Sequence, residues 1–322
     1  MMMMMMMMQE GNIFVYMGGD QVVPINVSRV RIHTSVKIIP HRAFKSRQYL
    51  IDVEFHDEVE TVCCSAFQDC RYLTGIKLPG VKIIGSWAFL NCIRLADVEF
   101  GDKLETIGGS SFNCCTSLKS ITLPSSLKTI RGWAFYYCDQ LMSLDLPEGL
   151  ETVEDCAFKN CNNLRRITMP LKDGIILYGA FDSCPRLSTI ELVGGTHETI
   201  FSLHMESWIN EINDEINRIN RVLPKIPPSR NDKTATIQQW IESAVQRLEH
   251  YKAEHKALLR EATTLLELAL WKAKLDEKEM YSLGGVKSYG VNIPTVNGRN
   301  KYRITSGAII VIKNVLPFLQ LK

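Results

Sequence analysis

Seven phenylalanines recur at a nearly fixed interval. Phe44, Phe67, Phe89, Phe112, Phe135, Phe158 and Phe181 are separated by 23, 22, 23, 23, 23 and 23 residues. A period held this closely means that each unit takes the same local structure and stacks on its neighbours, because no unit of this size can close a core alone. Other positions repeat in phase. Ala usually precedes the Phe, and Cys follows it by three residues at Cys70, Cys92, Cys115, Cys138, Cys161 and Cys184. Six residues after each Phe lies Leu50, Leu73, Leu95, Leu118, Leu141, Leu164 or Leu187. Three further on comes Val53, Ile76, Val98, Ile121, Leu144, Ile167 or Ile190, with another apolar residue two beyond. That alternation predicts a short strand with one face buried, ended in four units by Pro79, Pro124, Pro147 or Pro170, which cannot donate to a ladder.

Each unit therefore pairs a strand with a second apolar stretch, such as "LKTIRGWAF", expected to run back as coil or short helix. "VSRVRI" begins 23 residues before Leu50 and predicts one more strand without an Ala-Phe phrase, as a terminal cap should look. Ahead of it, "IFVYMGGDQVVP" places Gly-Gly-Asp between apolar runs and predicts a capping hairpin.

The unit Leu-x-x-Ile-x-Leu-Pro-x-Val-x-x-Ile-x-x-x-Ala-Phe-x-x-Cys resembles the BspA-type leucine-rich repeat, over about residues 27 to 193. The resemblance implies a solenoid, an interaction or adhesion surface, and no catalytic residue within the repeat. Departures are local. Arg47 stands for the Cys of the first unit, Ser111 for the Ala of the fourth, and His56 and Gly101 for Pro. "MPLKDGIILYGAF" spaces its apolar residues irregularly. Helical segments and an apolar tail after such repeats are also similar to algal members of this group.

Six of the ten cysteines share one repeat position. Stacked at a strand spacing of about 4.8 Å, their Cβ atoms lie beyond disulfide reach, so they read as buried thiols filling small apolar space. Cys63, Cys64, Cys114 and Cys156 fall elsewhere, and neither CxxC nor zinc-finger spacing occurs. No cofactor or metal is expected.

Two surfaces are candidates for a partner. On the strand face, Glu54, Lys77, Glu99, Asp145 and Arg166 point outward with mixed charge and no aromatics, as a solvated face would. Beside the Ala-Phe pairs, Trp87, Leu90, Trp133, Tyr136 and Tyr137 occupy positions that other units fill with Ser, Lys, Gln or Asn. Two units are about 10 Å apart, so these side chains are expected to form one apolar patch for a protein partner or the C-terminal segment.

After residue 200 the period changes. Met205, Ile209, Ile212, Ile216, Ile219 and Leu223 make a helical stripe, and a second runs Ile237, Ile241, Ala244, Leu248, Tyr251, His255, Leu258, Ala262, Leu265, Ala269. The fold class is thus α+β: a leucine-rich-repeat solenoid with its cap over residues 11–200, then a helical hairpin of about 203–223 and 234–280. A disordered poly-Met start (1–10), a mobile Gly-rich loop and an apolar tail complete residues 1–322. Thr236 and Gln239 have capping-box spacing. The long second helix can fold onto the repeats, pair with the tail, or form a homo-oligomer.

Net charge is only +2, split as 19 basic against 22 acidic residues up to position 201 and 18 against 13 after it. That balance argues against nucleic acid as the main partner, although the basic tail keeps an accessory role open. The start lacks the features of a signal peptide, and no apolar run reaches membrane-spanning length, so a cytoplasmic location is expected. The sequence points to a non-enzymatic protein-interaction scaffold, with adhesion or surface signalling as the alternative.

Overall fold

The computed structural model describes residues 13–193, 206–227 and 233–283. The described residues divide into two units, one of residues 13–193 with 206–227 and 233–245, the other of residues 246–283. The solenoid domain therefore takes in the first helix and the start of the second, beyond the boundary at 200 that the end of the repeats suggests. The poly-Met start, the Gly-rich loop and the apolar tail lie outside the described residues, as does the side chain of His255.

Every repeat turns once around a right-sized core and adds one rung. The front strands are parallel and fall into three groups. Phe14–Tyr16, Arg29–Ile32 and Asp52–Glu54 form one, Gly75–Leu78 and Asp97–Phe100 a second, and Ser143–Asp145, Arg166–Met169 and Thr189–Leu192 a third. Partners lie one period apart, as in Arg29 opposite Asp52 and Arg166 opposite Thr189, so equivalent side chains stack in columns. The opposite wall is a second parallel sheet, six strands of two residues each from Ile38–Ile39 to Thr152–Val153. No helix forms there, unlike the coil or short helix expected. Two residues per rung suffice because only one apolar side chain, as in Ile84 or Ile107, must enter the core.

The first strand corrects the expected capping hairpin. Phe14–Tyr16 pairs parallel to Arg29–Ile32, with Phe14 opposite Val30. It is an extra rung, and Gly18 and Gly19 at positive φ turn the chain away from it. Its Tyr16 ring then closes the aromatic column at that end, 4.9 Å from Phe44 in an edge-on contact.

Below the rungs the seven phenylalanines stack nearly parallel, with centroids 4.8 to 5.6 Å apart. All seven are fully buried. The recurring cysteines lie beside them and do more than fill space. Each Sγ lies against the carbonyl of the preceding unit's Phe, from Cys70 to Phe44 O at 3.1 Å through Cys184 to Phe158 O at 3.2 Å. The thiol donates where a turn carbonyl inside the array has no water to meet it. In the first unit Arg47 takes over this role, donating from Nε to the Val23 carbonyl at 2.8 Å and from Nη1 to the Lys45 carbonyl at 2.9 Å. A long cation suits that position because the outermost unit has a partly open flank.

The one shortened interval has a steric signature. A Cβ on Gly80 would sit 1.9 Å from the Asp57 carbonyl oxygen, and one on Gly101 would sit 1.9 Å from that of Pro79. Losing one residue draws these turns against each other, which explains Gly101 where other units carry Pro. His56, the other departure, turns its Nε2 to the His33 carbonyl one unit back at 3.0 Å.

The far end is closed by helices. α1 spans Glu206–Val222, is followed by a 3-10 turn at Leu223–Lys225, and α2 spans Lys233–Leu283. α2 starts before the expected Thr236, which lies inside its first turn. Ile212, Ile219, Leu223, Ile237, Trp240, Ile241 and Ala244 are buried, and polar side chains replace the missing next rung. Asn220 accepts from Ile190 N–H at 2.8 Å and donates to Ile190 O at 3.2 Å, as a further strand would. Thr234 Oγ1 accepts from Phe181 N–H at 2.9 Å while donating to Asp182 Oδ1 at 2.7 Å. The buried Lys233 ammonium donates to the carbonyls of Cys184, Pro185 and Leu187 at 2.9, 3.2 and 2.8 Å. Burial holds its pKa below the usual lysine range. The irregular unit is part of the same device: its back strand shrinks to one bridge from Val153 to Ile176, and Gln238 Nε2 takes the Ile176 carbonyl at 2.8 Å.

Candidate interaction surface

The outward residues of the front strands satisfy one another. Arg31 meets Glu54 at 2.6 Å, Lys77 meets Glu99 at 2.6 Å, and Arg166 bridges Asp145 at 3.1 Å and Glu191 at 2.9 Å. All five strand-face candidates, Glu54, Lys77, Glu99, Asp145 and Arg166, are thus engaged across rungs. Such exposed pairs contribute little stability, and they leave the face mixed in charge, with the single Arg166 shared between two acids. The side-chain bond to Glu99 raises the Lys77 pKa, and that to Glu191 raises the Arg166 pKa.

A shallow hollow of about 730 Å³ opens beside this face, over Arg94, Lys119 and Asp139. It is wide open and half polar, without the enclosed apolar walls that small-molecule sites use. Arg94 instead lies over the Tyr72 ring at 4.2 Å.

The Ala-Phe corner is built differently. Two residues before and two after each Phe, the backbone is left-handed: Arg42 and Ser46, Ser65 and Asp69, Trp87 and Asn91, Ser110 and Cys114, Trp133 and Tyr137, Cys156 and Asn160, Gly179 and Ser183. This conformation aims the N–H groups at the next unit. Trp133, Phe135 and Tyr137 donate to the carbonyls of Asp155, Ala157 and Lys159 at 3.0, 2.7 and 3.1 Å, and Trp87 and Phe89 do the same toward Gly109 and Ser111. The corner is a third ladder running the length of the array.

Positive φ is easy for Gly and tolerable for Asn, Asp or Ser, but costly for bulky side chains. Trp87, Trp133 and Tyr137 adopt φ of 59°, 55° and 58°. They nonetheless keep 50%, 49% and 40% of their surface exposed. Leu90 and Tyr136 are half-buried beside them, and Tyr136 meets Tyr137 edge-on at 4.6 Å. Ser110 occupies the rung between the two tryptophans, and among the described residues no ring contact joins them. The result is a ridge with two aromatic stations about 10 Å apart, two rungs of the Phe ladder. Sequence patterning nominated these residues but not their backbone state, because the left-handed positions hold such varied residues that no Gly or Asn signal marks them.

Burial disfavours the thiolate at eight of the ten cysteines. Burial pushes Cys70 up to about 12 and raises Cys92, Cys115, Cys138 and Cys161 well above the usual thiol range, so the reactive thiolate is suppressed. Cys63, Cys114 and Cys156 are raised too, again mainly by burial. Among the described residues no group of three or more His, Cys, Asp or Glu could hold a metal ion, and no helix is long and apolar enough to cross a membrane.

The chain is similar to solved leucine-rich-repeat proteins. That of T. pallidum is 24% identical with a TM-score of 0.41, over 57% of this chain and 78% of its own. One from Bacteroides ovatus is 24% identical with a TM-score of 0.39, over 52% of this chain and 55% of its own. A leucine rich cell surface protein of Faecalibacterium prausnitzii is 24% identical with a TM-score of 0.36, over 51% and 60%. No curated protein matches the sequence. The family model for the BspA type leucine rich repeat region matches six copies, over residues 24–139 and 82–202. With more than half of its length matched by the family model, the chain belongs to the BspA-type leucine-rich-repeat family.

Proposed function

We propose that this chain is a non-catalytic scaffold on which a protein partner docks along the Ala-Phe corner, anchored by Trp87, Trp133 and Tyr137. The observation that carries the reading is the placement of three large aromatics at left-handed backbone positions while they remain exposed. Stability alone favours Asn or Ser there, and strained residues held in the open point to use. Exposed Trp and Tyr are also the side chains that most often anchor protein interfaces, since their large apolar area loses little conformational entropy on docking. The strand face, which carries no exposed Trp or Tyr among its outward strand residues, offers no comparable anchor.

The test is affinity capture with the wild-type chain and with the triple variant Trp87→Asn, Trp133→Asn, Tyr137→Asn. Proteins retained by the wild type are expected to be lost from the variant, whose thermal midpoint should be equal or higher because Asn relieves the positive φ. An identical set of retained proteins would refute the corner as the docking surface.

A further inference from the structure

The part of α2 beyond Val245 belongs to the second unit, and past the buried Leu248 five of its large apolar side chains stand exposed. Leu258, Leu265, Leu268, Leu270 and Trp271 are all more than half exposed. Leu258, Glu261, Leu265, Leu268 and Lys272 follow one another at 3, 4, 3 and 4 residues, and all five are exposed. That spacing makes a heptad seam, the pattern by which one helix seats against another.

Two features of the seam select its occupant. First, it is palindromic about the point between Leu266 and Glu267. Laid antiparallel on a second copy, Leu265 faces Leu268 of that copy and Glu261 faces its Lys272. Second, charge is polarised along the helix. Residues 246–260 carry Arg247, Lys252, Lys256 and Arg260 against Glu249 and Glu254, whereas residues 261–283 carry five acids against three bases. Parallel copies would set like halves together and place Glu261 on Glu261 and Lys272 on Lys272. Antiparallel copies set each basic half on an acidic one.

We propose that the chain self-associates through α2 as an antiparallel pair, with leucine layers at 265 and 268 flanked by Glu261–Lys272 pairs between copies. Polar residues within a seam cost stability but fix its register and direction, since a slip of one heptad takes Glu261 off Lys272 and sets it on Leu265 or on Glu279. The pairing stands independently of the corner reading. Together they give a scaffold with two copies of each array.

Sedimentation equilibrium of the full chain over about 1–100 μM tests this, as helix pairing of this size is expected in the micromolar range. The wild type should pass from monomer to dimer, and Leu265→Asp with Leu268→Asp should abolish the dimer. Glu261→Lys alone and Lys272→Glu alone should each weaken it roughly tenfold or more, while the two together should recover most of the loss. Intrachain pairing cannot mimic that recovery, because 11 residues of helix hold the two side chains about 16 Å apart. A wild type that stays monomeric overturns the proposal and leaves the face to another occupant, such as the chain's own apolar residues 303–321. So does a dimer that survives Leu265→Asp with Leu268→Asp, or a double charge swap no better than the single ones.

Discussion

Two sides of the same rung are stabilised by different means. On the front strands, backbone geometry is relaxed and outward side chains pair across rungs, Arg31 with Glu54 and Arg166 with Asp145 and Glu191. At the Ala-Phe corner, the backbone is held left-handed by its N–H ladder, the thiols and stacked phenylalanines lie beneath it, and the outward side chains are mixed in kind, with Asn91 Nδ2 donating to Asp69 Oδ1 at 3.1 Å across units and Trp87, Trp133 and Tyr137 standing exposed. The strand face ties neighbouring units through its charged side chains where they are opposite in sign. The corner ties them through backbone N–H groups, which any residue carries, and so leaves most of its side chains free to differ. An array that must stack identically while recognising something specific has to put variation where stacking does not depend on it, and here that place is the corner.

The largest way to break the corner is alkaline pH. Burial raises the pKa of Cys70, Cys92, Cys115, Cys138 and Cys161 above the ordinary thiol value of 9.0. The unfolded chain therefore releases these protons first, and stability present below pH 9 is lost as pH rises toward the folded values, about 12 for Cys70. Each thiol contributes roughly 1–2 kcal/mol of loss per pH unit in that window. Denaturant midpoints measured from pH 8 to 11 should fall steeply, and Cys115→Ala should flatten the slope while lowering the midpoint at pH 8. A Cys115→Ala slope equal to that of the wild type would mean that the thiol column plays no part in the alkaline loss.

Next in size is the aromatic column. Phe112 stacks at 5.1 Å on Phe89 and 5.2 Å on Phe135 and is fully buried, so Phe112→Ala should cost about 3–5 kcal/mol by opening a void in the middle of the array. Because repeats couple mainly to their neighbours, the loss should also broaden or split the unfolding transition. Chemical denaturation followed by circular dichroism reads both effects. A loss below about 1 kcal/mol would show that the corner rests on its hydrogen bonds and not on the column.

These contrasts mark what the sequence made legible. The period placed the buried columns, the free cysteines and the front strands except at Ile121, where no strand forms, because burial in a stacked array is a property of position within the unit. It did not reveal that Cys138 donates to Phe112, since that bond depends on which way a thiol turns relative to the rung before it. Nor did it mark the left-handed turns, whose occupants run from Gly179 to Trp133. The helical cap was hidden for another reason. Stripe reading weighs apolar spacing, whereas Asn220, Lys233 and Thr234 act by replacing hydrogen bonds that the last rung cannot find in a next one. Asking which groups would satisfy the open ladder beyond Ile190 was the signal available. The corner aromatics were found because they break the repeat, and the strand-face charges were named without their pairing, which needed the register.

The smallest expected effect lies on the strand face. Arg166 touches Asp145 and Glu191, but all three side chains are well exposed, so water already screens them and replaces what the pairs provide. Arg166→Ala should change stability by no more than about 0.5 kcal/mol, and the change should shrink further at about 1 M salt, where the screening length falls to roughly 3 Å. Trp133→Asn, at a comparable exposure but on the strained backbone, should move stability the other way. If Arg166→Ala instead cost over about 2 kcal/mol, the ion pairs would be fastening rung to rung, and the strand face could no longer be regarded as the passive side of the array.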